Sequence, residues 1–264
     1  MKRCNERILW TENDIRDIIY RYVNLKKSSR DIAENYNVDK GTILRLLKQN
    51  NISRRNKGYR KYYVDEKYFN KIDTEEKAYW LGMISADGNV YKTTLHLGFQ
   101  NQDREHLLKF RNALNSTHRL IFLDKDQCCL KIYSKKLVHS LKQYFIIPNK
   151  HKTVRSPKID NSLISHFWRG VFDGDGHIGV YNGKWHLSIC GNKLMLSEYA
   201  NYVKSICHTK ARVRKQTNSS AYIFKVGGNL ITPRLADNLY MNSTKSIRLN
   251  RKYKKYLFMK KELV

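Results

Sequence analysis

The chain has 264 residues, with 51 Lys+Arg against 23 Asp+Glu (a formal net charge of +28), 41% hydrophobic residues and 12% aromatic residues. The apolar content excludes a disordered polycation, and the length suits one or two packed domains. So large a positive charge on folded sequence calls for a polyanionic partner, nucleic acid ahead of an anionic membrane.

The first residues, Met1 to Arg7, lack the apolar core of a signal peptide, and the longest nearly apolar run, Ala78 to Ala86, is far short of a membrane span. A soluble, intracellular protein without a membrane partner is expected. Cys4, Cys128, Cys129, Cys190 and Cys207 make no C-x-x-C pair and no zinc spacing with histidine, so they read as reduced thiols. Residues 1–70 hold 17 Lys+Arg and 9 Asp+Glu, which leaves +20 for the other 194 residues. The charge is therefore spread through the chain rather than confined to a tail.

Three helices fit residues 11–50. Thr11 with Asp14 forms a capping-box pattern ahead of Ile15, Ile18, Ile19 and Tyr22; Ser28 or Ser29 caps a second helix carrying Ile32, Ala33 and Tyr36. After a turn at Asn37-Val38, Asp39 caps a third helix with Ile43, Leu46 and Leu47. Two short helices joined by a tight turn after a longer one is the helix-turn-helix plan, and Ser29–Ile43 resembles that of resolvases and small regulators. Lys40, Thr42 and Arg45 are the side chains expected to reach a major groove. A plain three-helix bundle is the alternative. Residues 53–62 are basic and aperiodic, and read as a linker that is either a plain spacer or, as the composition favours, a segment whose Arg54 and Arg55 lie along a DNA backbone or in a minor groove.

A repeat follows. Residues 79–88, Tyr-Trp-Leu-Gly-Met-Ile-Ser-Ala-Asp-Gly, match residues 167–176, Phe-Trp-Arg-Gly-Val-Phe-Asp-Gly-Asp-Gly, at a constant offset of 88. Trp80, Gly82, Asp87 and Gly88 thereby match Trp168, Gly170, Asp175 and Gly176. Asp73 with Glu76, and Asn161 or Ser162, are expected to cap the two helices.

In the first copy strands are expected at Asn89–Tyr91, Thr94–Gln100, Arg119–Leu123 and Cys128–Tyr133, with helices over Asp103–Leu114 and Lys135–Phe145. The turn Asp124-Lys125-Asp126-Gln127 joins the last two strands. In the second, strands at His177–Tyr181 and Lys184–Cys190 flank the hairpin signal Asn182-Gly183. Strands Arg212–Gln216 and Ala221–Val226 and helices Lys193–Ser205 and Asn229–Leu239 complete it. The run Lys245–Lys261 reads as a basic helix. The expected fold class is α+β: two pseudo-twofold αββαββα repeats after a small all-α domain. Its parts are residues 1–52, a basic linker over 53–72, a first repeat over 73–155 and a second over 156–264.

Gly82 with Ala86, and Gly170 with Gly174, put small residues one helical turn apart, so the two motif helices can pack with their backbones close. Asp87 and Asp175 would then meet at two helix C-terminal ends, where the dipole is already negative. Bound divalent cations relieve that repulsion, and paired carboxylates holding metal beside a phosphate suit phosphodiester hydrolysis.

These residues resemble the LAGLIDADG motif of LAGLIDADG homing endonucleases in their single-chain, two-motif form, over about residues 70–264. Ser85 departs from the motif's usual acid, whereas Asp173 keeps it. The resemblance implies a saddle of antiparallel sheets, a long asymmetric DNA site, Mg²⁺ (or Mn²⁺), a monomer and double-strand cutting with 3′ overhangs. It implies metal ligation by Asp87 and Asp175 with the carbonyls of Ala86 and Gly174. It also places Asp103 or Gln102 in a water network, with Lys193 or Asn192 as second-copy equivalents, and Lys135 as the basic residue near the attacking water. The counterpart of Lys135 falls at Gly228, with Lys225 displaced, so the two centres are expected to be unequal. Candidate DNA contacts on the sheets are Tyr91, Thr94, His96, Gln100 and Arg119 in the first copy. In the second they are His177, Tyr181, Lys184, His186, Ser188, Arg212 and Arg214. Two other readings use the same fold: a non-cutting DNA-binding regulator, against which the two acids argue, and a maturase that binds its own intron RNA.

Overall fold

The computed structural model describes residues 9–55, 62–123, 126–217 and 219–263. Expectations resting on Met1–Arg7, Cys4, linker positions 56–61 and the turn residues Asp124-Lys125 lie outside the described residues. The chain divides into two compact units, Met1–Lys61 and Tyr62–Val264.

In the smaller unit, α1 (Glu12–Val23), α2 (Ser29–Asn35) and α3 (Lys40–Gln49) follow the expected caps. Thr11 and Asp14, and Ser28 and Asp31, form reciprocal capping boxes, and the Asp39 side chain accepts from the Gly41 N–H. Ile18, Tyr22, Ile32, Ala33, Ile43, Leu46 and Leu47 close one core. The Tyr36 hydroxyl donates to Asp17 at 2.5 Å, and partial burial, then that carboxylate, push the phenol up to about 12.

The larger unit starts earlier than the expected end of the linker at residue 72. Val64, Tyr68, Phe69 and Ile72 are core residues, the Asp65 N–H donates to Leu114 O at 2.9 Å, and the Ser140 hydroxyl donates to Asn70 at 2.6 Å. These apolar residues recur at i, i+4, i+5 and i+8, yet the stretch forms turns and not a helix, and its burial comes from the rest of the unit.

Each repeat then runs helix, two strands, helix, two strands, helix. The first comprises α4 (Glu75–Asp87), β1 (Asn89–Tyr91), β2 (Thr94–Gln100), α5 (Arg104–Ala113), β3 (Leu120–Leu123), β4 (Gln127–Tyr133) and α6 (Lys135–Lys142). The second comprises α7 (Ile164–Asp175), β5 (Gly176–Tyr181), β6 (Lys184–Gly191), α8 (Lys193–Cys207), β7 (Arg214–Lys215), β8 (Tyr222–Gly227) and α9 (Ile231–Tyr240), and is followed by α10 (Asn250–Glu262). Two antiparallel four-stranded sheets result, ordered β1-β2-β4-β3 and β5-β6-β8-β7. The class is α+β, as expected.

Local differences have local causes. Thr74 caps α4 by accepting from the Lys77 N–H at 3.2 Å, while Asp73 pairs with Lys77 Nζ at 2.8 Å. Asp160, not Asn161 or Ser162, caps the 3-10 turn leading into α7. Helix α6 stops at Lys142 because Phe145 turns left-handed and the Ile146 N–H closes onto Leu141 O at 3.2 Å. Strand β7 keeps two residues of an expected five, since only Arg214 and Lys215 find partners on β8. Among the described residues no helix is long and apolar enough to cross a membrane.

Candidate active site

Helices α4 and α7 lie against each other through backbone. A Cβ on Gly82 would sit 2.0 Å from Phe167 O, and one on Gly170 would sit 2.1 Å from Tyr79 O, so both positions exclude any side chain. One turn on, a Cβ on Gly174 would meet Ala86 Cβ at 2.4 Å and Asp87 Oδ2 at 2.9 Å. The small-residue spacing thus brings the two helix ends together. Gly88 and Gly176 are extended, not left-handed: they are glycines because a Cβ would strike the preceding turn, Ile84 O at 2.7 Å and Phe172 O at 2.5 Å.

Asp87 and Asp175 end the two helices and reach solvent. Surrounding protein still penalises their charges. Burial raises the Asp87 carboxyl, against the pull of Lys252 and Lys150. Burial, then repulsion from Asp87, lifts Asp175 to about 6. The opposing pull comes from two lysines that the sequence does not single out. Lys150 Nζ donates to Ser85 O at 2.7 Å and Ala86 O at 2.8 Å, closing the end of α4. Lys252 Nζ does the same for α7, donating to Phe172 O and Asp173 O at 2.7 Å and to Gly174 O at 3.2 Å. Cations at a helix C-terminus offset both the dipole and the carboxylates. Burial lowers both ammonium groups, Lys252 to about 8. The only sequence signal was a basic residue beyond the last helix of each repeat. The segment between α9 and α10 breaks the constant offset that exposed the motif, and so hides this pair.

The expected metal donors are therefore together: two carboxylates and the carbonyls of Ala86 and Gly174, the latter already accepting from lysine. Among the described residues no three His, Cys, Asp or Glu side chains gather into a metal-binding group. Two carboxylates with oxygen donors nonetheless fit a hard cation that keeps water and phosphate as its other ligands.

The corners beside the acids differ. Asp103 lies close enough to Asp87 to disfavour its charge, and is held by Arg251 Nε at 2.7 Å. Gln102 is exposed and donates to Gln100 at 2.6 Å. In the second copy Lys193 lines an open cavity of about 560 Å³ with Asp175, Lys150, Ala86 and Cys190. Asn192 is spent capping α8.

Lys135 is not brought to this site. It follows Tyr133, which pairs with Thr94 at the opposite end of β2 from Gln100, and six strand steps span roughly 20 Å. The lysine of the first repeat that reaches the end of α4 is Lys150.

Asp173, the motif acid that Ser85 replaces in the first copy, is buried. It accepts from Tyr79 Oη at 2.8 Å, Tyr240 Oη at 2.6 Å and the Leu249 N–H at 2.7 Å. It thus ties the start of α10, which carries Arg251 and Lys252, to α7. Ser85 only bonds back to Leu81 O at 2.8 Å.

Alternation gives each sheet a core side and an open side. Leu95 and Leu97 on β2, and Trp185, Leu187 and Ile189 on β6, point into the core. Thr94, His96, Gln100, Lys184, His186 and Ser188 lie on the opposite, open side, with Tyr91, His177 and Tyr181 on the flanking strands. Burial and neighbouring lysines lower His96, His177 and His186, which favours neutral rings. Arg119, Arg212 and Arg214 are exposed at or just before the edge strands. In the smaller unit Lys40 and Arg45 are exposed on α3, and Thr42 accepts from Arg45 at 3.3 Å. Arg54 is exposed. Arg55 instead packs 4.0 Å over the Tyr22 ring and donates to Tyr22 O, Lys26 O and Lys27 O, so it closes the end of α1.

No family model and no curated protein matches the sequence. Solved structures share the architecture. A point mutant of I-SmaMI matches with a TM-score of 0.54 at 10% identity, over 70% of this chain and 90% of its own. The LAGLIDADG homing endonuclease I-LtrWI bound to target DNA matches at 0.51 and 11% identity, over 75% of this chain and 91% of its own. I-GzeII, a LAGLIDADG homing endonuclease in complex with its DNA target, matches at 0.50 and 14% identity, over 70% and 89%. The chain has the fold of the single-chain, two-motif LAGLIDADG homing endonucleases.

Proposed function

We propose that this chain is a site-specific, double-strand DNA endonuclease that acts as a monomer with Mg²⁺ and leaves 3′ overhangs. The observation that carries this reading is the pair Asp87 and Asp175, held together by a crossing that only glycine permits and flanked by Lys150 and Lys252. A regulator that only binds DNA has no use for two carboxylates set against a polyanion.

A divalent cation at the acids would neutralise charge on a scissile phosphate and acidify a water. Asp87 and Asp175 would supply the ligating oxygens, and the close helix crossing would fix their separation. Lys150 and Lys252 lower the cost of two like charges meeting at helix ends and leave positive charge facing the phosphates. The open faces of both sheets would read base edges in the major groove. Helix α3 of the smaller unit, with Lys40, Thr42 and Arg45, would extend the site as a helix-turn-helix. Gln102, Asp103 and Lys193 would border the attacking water on each side.

The test is cleavage of a randomised duplex library joined to the sequences flanking the gene, with Mg²⁺ or with EDTA. Metal-dependent double-strand products at one long site are expected. Asp87→Asn and Asp175→Asn should each lower cutting by about a thousandfold or more, the loss of several kcal/mol of transition-state stabilisation, with binding retained. Full double-strand cutting by either variant removes the assignment.

A further inference from the structure

We propose that the two sheets read chemically opposite half-sites: the first takes thymine methyl groups at its outer strands and the second takes guanines. This rests on the reading of the chain as a duplex-DNA endonuclease.

The ladders allow a position-by-position comparison. Tyr91 pairs with Thr94 at the first hairpin and Tyr181 with Lys184 at the second, so Gly98 corresponds to Ser188 and Gln100 to Cys190. On the side of the first sheet away from the core, one row then runs Gly98–Cys129–Ile121, with Cys129 itself buried, and the next Gln100–Gln127–Leu123. Across the second the same rows run Ser188–Lys225 and Cys190–Ile223–Arg214. Cys129 thus stands where the second sheet has Lys225, and Leu123 stands where it has Arg214.

Ile121 and Leu123 are 37% and 43% exposed on an edge strand, in a chain of net charge +28. Exposed apolar residues on a sheet edge are a liability unless something covers them. They share their face with His96 and Lys131, toward which a polyanion is drawn. A duplex offers one apolar group in its major groove, the C5-methyl of thymine. At the equivalent places Lys225 and Arg214 offer donors, for which guanine O6 and N7 are the matching acceptors.

The experiment selects bound duplexes from a randomised library with the full chain in Ca²⁺, then substitutes deoxyuridine for thymidine and 7-deazaguanine for guanine, one flank at a time. Deoxyuridine should weaken binding on one outer flank only, by about fourfold for each methyl lost. That sensitivity should vanish in the exposed-site double variant Ile121→Ala with Leu123→Ala. 7-Deazaguanine should act on the other flank only, and its effect should vanish in Arg214→Ala with Lys225→Ala. A selected site that tolerates deoxyuridine on both flanks, or flanks that answer to the wrong pair of variants, overturns the inference while leaving the endonuclease reading intact. Failure to retain any duplex overturns that reading, and the inference with it.

Discussion

The two repeats share a plan and diverge in its use. Both end their first helix on Asp-Gly, both meet at a glycine, and both have that helix end closed by a lysine from beyond their last helix. They part where side chains alone are at stake. Asp173 anchors a buried network and Ser85 does not. Arg251, from α10 after the second repeat, closes the corner at Asp103 in the first, whereas the corner at Lys193 opens into a cavity. Symmetry is kept where backbones touch and has no slack, and is dropped where the neighbours can adjust. A close crossing constrains both partners at once, while a surface residue constrains only itself.

The shared part can be broken most severely. Gly82→Ala and Gly170→Ala each push a Cβ into a backbone carbonyl of the partner helix, at 2.0 and 2.1 Å. Overpacking that the backbone must absorb should cost at least about 3 kcal/mol in each case, a fall in melting temperature of about 6–12 °C for a unit of this size. Thermal melts of the two variants should agree closely. A variant that melts within a degree or two of wild type would show that only one side of the crossing is tight.

The divergent part comes next. Asp173→Ala leaves the Tyr240 hydroxyl and the Leu249 N–H without their acceptor and Tyr79 with only His106 Nε2, at 2.7 Å, which should cost about 3 kcal/mol. Ser85→Ala removes one bond to its own helix and should cost about 1 kcal/mol or less. Urea midpoints of the two variants measure the asymmetry directly, and equal losses would erase it.

Much of this was legible in the sequence, for physical reasons that differ by element. The αββαββα order, the hairpin at Asn182-Gly183 and the capping boxes at Thr11 and Ser28 are local: each depends on a few adjacent residues whose own bonds decide the conformation. The alternation of His96 with Leu95 and Leu97 fixed the face of β2 in the same way. What escaped was long-range. Lys150 and Lys252 look like any surface lysine until the fold brings helix-end carbonyls to them. Lys135, read as the basic residue of the centre, sits at the wrong end of a ladder whose direction no local pattern states. Residues 62–72 read as linker because their burial comes from partners such as Leu114 and Ser140, far along the chain. Arg55 looked free for DNA because its acceptors are main-chain carbonyls, which composition does not show.

The smallest effect expected separates the two acids themselves. In the metal-free protein the Asp175 carboxyl titrates near 6, above its ordinary 3.8, so the folded state holds that proton longer than the unfolded state does. Stability linked to this group is therefore present below about pH 4 and is lost as pH rises through about 6. Asp87 acts in the same direction, and its charge is one cause of the shift at Asp175. Melting wild type and Asp175→Asn with EDTA between pH 4 and 7.5 isolates the effect, because every other group titrates in both proteins. The variant should gain on wild type across that window, by a few degrees at most for so accessible a site. Ca²⁺, which needs the ionised acids, should restore wild type above pH 6 and do little at pH 5. The same series on Asp87→Asn sharpens the comparison: with its neighbour neutral, Asp175 should titrate lower and the window should move to more acidic pH. A gap between wild type and Asp175→Asn that stays flat with pH would mean that neither burial nor Asp87 shifts the Asp175 carboxyl, and an unmoved window in Asp87→Asn would mean that the two carboxylates do not sense each other.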